Sequence, residues 1–491
     1  MLRKWMFQPF DVPKYPYPLG LGLLLLSSIT LILLLCSCTP PPGYQVLDLR
    51  TMPQEPAAYL DETTATVPLM DEKTQHLAAQ NFLTHHFSPW GTNTPLELTR
   101  NPFWALEWIE AKQVFGHNLL PLSQEAINTL RQRCAASEYP SMGQHGISVA
   151  HIDVRALPTL APLFNNPRQP GEGFPFDYMQ HGVLPAGTPV LVTHSSPDRN
   201  WLFIETPLLY GWVPATAVAW VDAPFKAQYT KAEFIALLKD GYPLHSDSGG
   251  ALPPSRSGTI LPLLGHTPTQ YTVAVPRVNR SGNAVVERAS VSTTIARPFP
   301  LSFTPAQIAA LSSYFMQQPY SWGDRFSGRD CSGTMRDLFT PFGIWLPRNS
   351  GKQAAEGKVI DLRKIPLSHR REYIATHAIP FATLVHMPGH IMLYLGEYQG
   401  KSVVLHALWG VRHNSVTGEE SRIIVGRTAI TSLEPGAELK RWFAGVSSLL
   451  PRLDHINIPH IRALDPFHQL PLPTTEATET SGVAAQKQNS H

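Results

Sequence analysis

Cys331 stands in the stretch GRDCSGTMRDLF, between Asp330 and the Ser332–Gly333 pair. That setting is too polar to have been chosen for burying a thiol. It suggests nucleophilic chemistry, because a thiolate is a strong nucleophile near neutral pH. Such a nucleophile needs a proton-handling partner. Two histidines downstream qualify, His390 and His406, in PGHIMLYLGEYQGKSVVLHALWG. Each of the three residues alone is more often structural. Together they point to a thiol enzyme in which one imidazole is the base and the other holds its ring and tautomer.

The elements that carry these side chains are also written in the sequence. After Cys331, Met335, Leu338, Phe339 and Phe342 recur at helical spacing, with Asp330 as N-cap and Gly343 as the stop. Cys331 then opens the first turn, where free N–H groups and the positive end of the helix dipole favour a thiolate. The two histidine-bearing runs read as strands of a hairpin centred on Tyr398. In that register His390 lies directly opposite His406, with Cβ atoms about 5 Å apart. Just upstream, FTPAQIAALSSYFMQQ reads as an amphipathic helix capped by Thr304.

A chain of 491 residues is too long for one core and predicts several domains. Its formal charge of +2 leaves no basic stripe for a nucleic acid. No paired Cys/His motif has zinc spacing, so neither a metal nor another cofactor is expected. The N-terminus reads as an export leader: Arg3 and Lys4, then an apolar run from 19 to 35, then LCSC. Leu35 and Ser37 before Cys38 resemble the lipobox of bacterial lipoproteins, which makes Cys38 the expected lipidation site. Cys36 and an uncleaved membrane anchor are the alternatives. The remaining cysteines, Cys134 and Cys331, could be joined in one disulfide, although Cys134 sits with Ile127 and Leu130 on an apolar helix face and reads as core.

The segments after the leader change character twice. Residues 39–138 read as helical, opening with a short tether; one helix is expected to start at NPFW, with Asn101 as cap. Residues 139–222 and 223–298 read as short β-runs separated by turns. DRNWLFIETPLLYGWVPATAVAWVD resembles bacterial SH3-like modules, and the second stretch is a weaker copy. The candidate catalytic region spans 299–450. A tail of 451–491 is expected to be partly disordered.

The region from Tyr320 resembles the NlpC/P60 family of cell-wall cysteine peptidases. The family's shared elements fall here on Tyr320, Trp322 and Gly323; on Asp330 to Gly333; on Leu346, Pro347, Arg348, Ser350 and Gln353; and on Gly389 and His390. Its third polar residue falls on His406. The resemblance implies an α+β fold: a papain-like peptidase domain behind two small SH3-like barrels and an N-terminal helical cap. It implies hydrolysis of the bond between D-glutamate's γ-carboxyl and a diamino acid in peptidoglycan stem peptides or muropeptides. Cys331 would attack, His390 would protonate the leaving amine, and His406 would orient His390. It further implies a substrate groove lined by Tyr320, Trp322, Ser332, Asn349 and Ser350. Some relatives carry an aspartate at the position of Asn349 and use it to grip a free alanine amine. Asp177 and Tyr178, in the first SH3-like module, are candidates to replace that acid, alongside a structural role. The other function classes are a wall-binding lipoprotein scaffold with an inactive peptidase domain, and an amidase or acyltransferase on the same fold. The expected setting is the cell envelope, with a monomer lipid-anchored on the periplasmic side, at the outer membrane.

Overall fold

The computed structural model describes residues 44–96, 101–415 and 417–459. The leader with Cys36 and Cys38, and the chain beyond 459, lie outside the described residues. Among those described, no helix is long and apolar enough to cross a membrane.

The N-terminal region holds helices α1 (Glu72–Phe87), α2 (Trp104–Ala111) and α3 (Gln124–Cys134). Asp71 and Ser123 cap α1 and α3, accepting the Thr74 and Ala126 N–H groups. The expected start at Asn101 is corrected: α2 begins at Trp104 without a side-chain cap, and the Asn101 amide turns to Glu107 instead. Cys134 is buried beside Leu130 and Trp212, and both Cys134 and Cys331 are free thiols.

Two sheets follow. Strands β1 (Gln144–Ser148), β2 (Ile152–Arg155), β3 (Gln180–Leu184), β4 (Pro189–Ser195), β5 (Trp201–Glu205), β6 (Tyr210–Pro214) and β7 (Val218–Trp220) form the first, in the order β3-β2-β6-β5-β4-β1-β7. The Gly-Trp-Val run lies in β6 and ends in a single helical turn, Ala215–Ala217. Strands β8 (Phe234–Leu237), β9 (His245–Ser246), β10 (Ile260–His266), β11 (Gln270–Val278), β12 (Ala284–Ser292) and β13 (Ala296–Pro298) form the second, in the order β13-β8-β10-β11-β12-β9.

The third unit combines helices α5 (Pro305–Ser313), α6 (Cys331–Phe339) and α7 (Leu367–His377) with strands β14 (Lys358–Asp361), β15 (Leu384–Met387), β16 (His390–Tyr398), β17 (Lys401–Asn414), β18 (Glu420–Ser432) and β19 (His455–Ile458); a further helix, α4 (Ala223–Thr230), joins the two preceding sheets. Its sheet runs β14-β19-β15-β16-β17-β18 and is antiparallel throughout. The expected domain end at 450 is therefore too early. Residues 455–458 form an interior strand paired on both sides, with Ile456 and Ile458 buried. Four residues behind a proline carry too little period to be read as a strand.

Met335, Leu338 and Phe339 of α6 pack on Ile391, Leu393 and Leu405 of the sheet. All nine residues of α6 are buried, Arg336 and Asp337 included. The polar face is covered by the second β-module, whose Gly258 (φ +83°) approaches the Asp337 Cα so closely that any Cβ there would strike it at 2.9 Å. The segment from Tyr44 onward is docked rather than a free tether. The Asp48 carboxylate accepts from Ser432 N–H and O–H, and the Gln54 amide pairs with the backbone of Ile430 like an added strand.

Candidate active site

Helix α6 presents Cys331 at its first position, beneath the start of β16. Asp330 caps it, accepting from Gly333 N–H (2.8 Å) and Gly323 N–H (3.1 Å). Asp330 is itself gripped by the Arg348 guanidinium at 2.7 Å. Burial works against ionisation of that carboxyl, but Arg348 and the backbone donors hold it below the usual carboxylate range. Ser332 completes the shell: its hydroxyl accepts from Arg348 and its carbonyl from the Gln353 amide. Asn457 of β19 holds the Gln353 carbonyl in turn. The strand that the sequence hides thus supports the helix start.

The expected thiolate is corrected. Burial, then the Asp330 carboxylate, pushes the Cys331 thiol up to about 12, against the lowering pull of the Ile391 N–H, Arg348 and the Ser332 N–H. A helix N-terminus does not offset desolvation when its own cap is an anion. The Ile391 N–H, directed at the sulfur, belongs to the residue after His390, so the thiol meets β16 next to His390.

The expected register is corrected as well. The hairpin turns through Gln399 and Gly400, both at positive φ, with Tyr398 opposite Lys401. Carried on unbroken, that register would put His406 and His390 on opposite faces of the sheet. A bulge intervenes: Leu395 is an extra residue between the pairs Tyr394–Val404 and Gly396–Val403. It shifts the far half by one, so the histidines become diagonal neighbours on one face, with ring centroids 5.0 Å apart.

Their protons can be assigned from the partners. Thr431 Oγ1 donates to the Ser432 carbonyl (2.8 Å), so its oxygen accepts from His406 Nε2–H (3.0 Å). His406 Nδ1 is then unprotonated and accepts from His390 Nε2–H at 2.8 Å. His390 Nδ1 keeps a lone pair. Burial, then the nearby charges of His386 and Arg452, holds the His390 imidazole down to about 4, so at neutral pH it is an unprotonated base. Burial also keeps His406 neutral.

A cleft of about 490 Å³ opens above the sulfur. Tyr320, Trp322, Ser332, Asn349, Ser350 and Tyr178 line it, and the first β-module and α2 close its far side with His181, Tyr210 and Trp104. Phe176, which sequence reasoning missed, reaches in from the β2–β3 loop and packs against Trp322, Trp409 and Tyr320 with centroids 5.4, 6.0 and 6.4 Å away. Asp177 does not face the cleft. It is buried, with one oxygen held by Arg155 (2.7 Å) and Arg325 (2.8 Å) and the other by the Leu163 and Met179 N–H groups. A role in gripping an amine is therefore corrected to a structural one. The Tyr178 hydroxyl donates to Glu172. Among the described residues lining the cleft, Asp330 is the only acid, and it is paired with Arg348. Phe176, Thr431 and Asn457 carried no signal that spacing alone could reveal; Arg348 stood out in the shared motif, but its grip on Asp330 did not.

Residues 317–422 match the model of the NlpC/P60 family, and residues 25–139 match that of the NLPC_P60 stabilising domain. Residues 162–214 match an SH3 domain of SH3b1 type, and 222–268 one of SH3b2 type. Among solved structures, the chain is similar to an NlpC/P60 endopeptidase from Photobacterium damselae subsp. piscicida. The two share 25% identity over 84% of this chain and 98% of the other, with a TM-score of 0.76. An NlpC/P60 family protein from Bacillus cereus follows, with 18% identity over 56% of this chain and 83% of the other, and a TM-score of 0.40. A comparison with curated proteins gave no match.

Proposed function

From a chain that carries an NlpC/P60 domain behind that family's stabilising domain and two SH3 domains, we propose a peptidoglycan endopeptidase that cuts stem peptides between D-γ-glutamate and the diamino acid. The observation that carries this reading is the chain of hydrogen bonds from Thr431 through His406 to His390, which leaves an unprotonated nitrogen on the strand that meets Cys331.

Both groups start neutral. His390 Nδ1 takes the thiol proton as Cys331 Sγ attacks the γ-glutamyl carbonyl, and the oxyanion is met by free N–H groups at the start of α6. The imidazolium gives its proton to the leaving amine of the diamino acid, and a thioester remains on Cys331. Water, deprotonated by His390, then releases the γ-glutamyl carboxylate. His406 and Thr431 fix the tautomer throughout. Tyr320, Trp322 and Asn349 wall the groove in which the stem peptide is held, and Phe176 packs against the first two.

Cys331→Ala tests this reading. Released fragments, analysed by mass after incubation with purified wall and muropeptides, should vanish while melting temperature and wall binding persist. Retained turnover in that variant would sink the assignment. We further place the chain at the cell envelope through a lipid on Cys38, a reading supported by the apolar run and the LCSC sequence. Cys38→Ser should abolish lipid labelling; unchanged labelling moves the anchor to Cys36 or removes it.

A further inference from the structure

His386, third residue of β15, and His455, first residue of β19, are direct register partners. Asp454 precedes His455. One atom, Asp454 Oδ1, lies 2.7 Å from His386 Nδ1 and 3.2 Å from His455 Nδ1. Ligand-type atoms of all three residues lie within 4.8 Å of one another. His386 is 5% exposed, and its Nε2 finds no partner among the described residues. Asp454 and His455 are part-exposed, which gives solvent a path to the cluster.

Two imidazole nitrogens and a carboxylate around one centre form a donor set suited to zinc-like ions, with a fourth position left for water or a ligand. The separations of 2.7 and 3.2 Å need only a small opening to put each atom near 2.0–2.1 Å from a common ion, roughly the zinc–ligand distance. Coordination through Nδ1 leaves each ring its proton on Nε2. At His455 the long contact from Arg363, 3.4 Å, is then given up. Asp361, the register partner of His455 on β14, is held on both oxygens by Arg363 and is not counted among the ligands. Sequence spacing conceals the set, because His386 and Asp454 lie 68 residues apart.

We propose that His386, Asp454 and His455 bind one divalent transition ion of the zinc class, outside the cysteine–histidine chain. The ion would sit one strand from His390, whose neighbour in the ladder is Met387, next to His386. A dication one strand from His390 disfavours positive charge on that imidazole, so the ion acts as a brake on turnover and not as a cofactor; this consequence rests on the peptidase reading, whereas binding itself does not.

The test titrates ZnCl₂ into the full chain carrying Cys331→Ala, which removes the thiol as a competing ligand. Calorimetry should show one site, and Co²⁺ in its place should give the visible bands of a four-coordinate ion. Adding His455→Ala or Asp454→Asn should weaken that site by about tenfold or more and erase the bands. Absence of saturable binding, or binding that both variants leave unchanged, overturns the proposal. Cleavage that fails altogether in the metal-free parent would count against the peptidase reading and leave the binding result standing.

Discussion

At the residue scale, the thiol and imidazole are both neutral at rest. With His390 held down to about 4 and Cys331 up to about 12, kcat/KM should rise as pH climbs through about 4 and then stay level past pH 9. A thiolate–imidazolium pair predicts a falling limb between pH 7 and 9, and a pH–rate profile showing that limb would contradict the neutral ground state. The same depressed histidine affects stability. Unfolded, it takes up a proton near pH 6.5; folded, it does not until about 4. The unfolded chain therefore binds more protons in that window, and melting temperature should fall as pH drops from 6.5 toward 4. Thr431→Val strands the His406 N–H and frees its tautomer. An unpaired buried donor costs about 1–3 kcal/mol of stability, and loss of the tautomer lock should separately drop kcat about tenfold with KM unchanged. In the cleft, Asn349 is neutral and Asp177 is committed elsewhere. An N-acetylated stem peptide should then be cut about as well as one with a free amine; a loss of about two orders of magnitude, the scale of a charge-assisted bond, would reveal an amine site.

At the element scale, the β16 bulge decides whether the two histidines share a face. Gly396, which follows the inserted Leu395, adopts φ +116°, a backbone state that side chains with a Cβ avoid. Gly396→Ala should cost about 1–3 kcal/mol and slow turnover as β16 is re-aimed. Denaturant unfolding and kcat, measured together, check both; an unaltered kcat would show that the bulge does not set the histidine geometry. Helix α6 and its cap were legible because Met335, Leu338 and Phe339 repeat at the helical period and Asp330 precedes them. The bulge was not, because it is one residue in a run, GHIMLYLGE, whose hydrophobic pattern is unchanged by it. Strand β19 was missed for a related reason: both its neighbours lie far away in sequence.

At the scale of the whole molecule, the second SH3 domain shares buried ion pairs with the NlpC/P60 domain. Four arginines (Arg256, Arg329, Arg336, Arg348) and four aspartates (Asp240, Asp324, Asp330, Asp337) form a chain of ion pairs and charge contacts running from the second SH3 domain to the cap of α6. Arg329 is 1% exposed and bridges Asp240 of the SH3 side to Asp337 of α6. Leaving a buried charge wholly unpaired costs about 3–5 kcal/mol; Asp240→Ala leaves Arg329 its bond to Asp337, so it should lower the unfolding free energy by less than that, read from denaturant unfolding. A fragment of residues 299–458 alone loses Asp240, Arg256 and the docked segment around Asp48. It should lack a cooperative thermal transition; a sharp transition matching that of the full chain would show that the contacts between domains are dispensable.

The sequence alone determined which residues could react and which elements would carry them, since helical period, cap residues and family motifs are local and survive in one dimension. Tertiary structure alone decided the protonation state of the nucleophile, the face on which His406 lies and the fate of Asp177. Each of these depends on burial or on a partner distant in the chain: the desolvation of the thiol, one extra residue in a ladder, two arginines closing over a carboxylate.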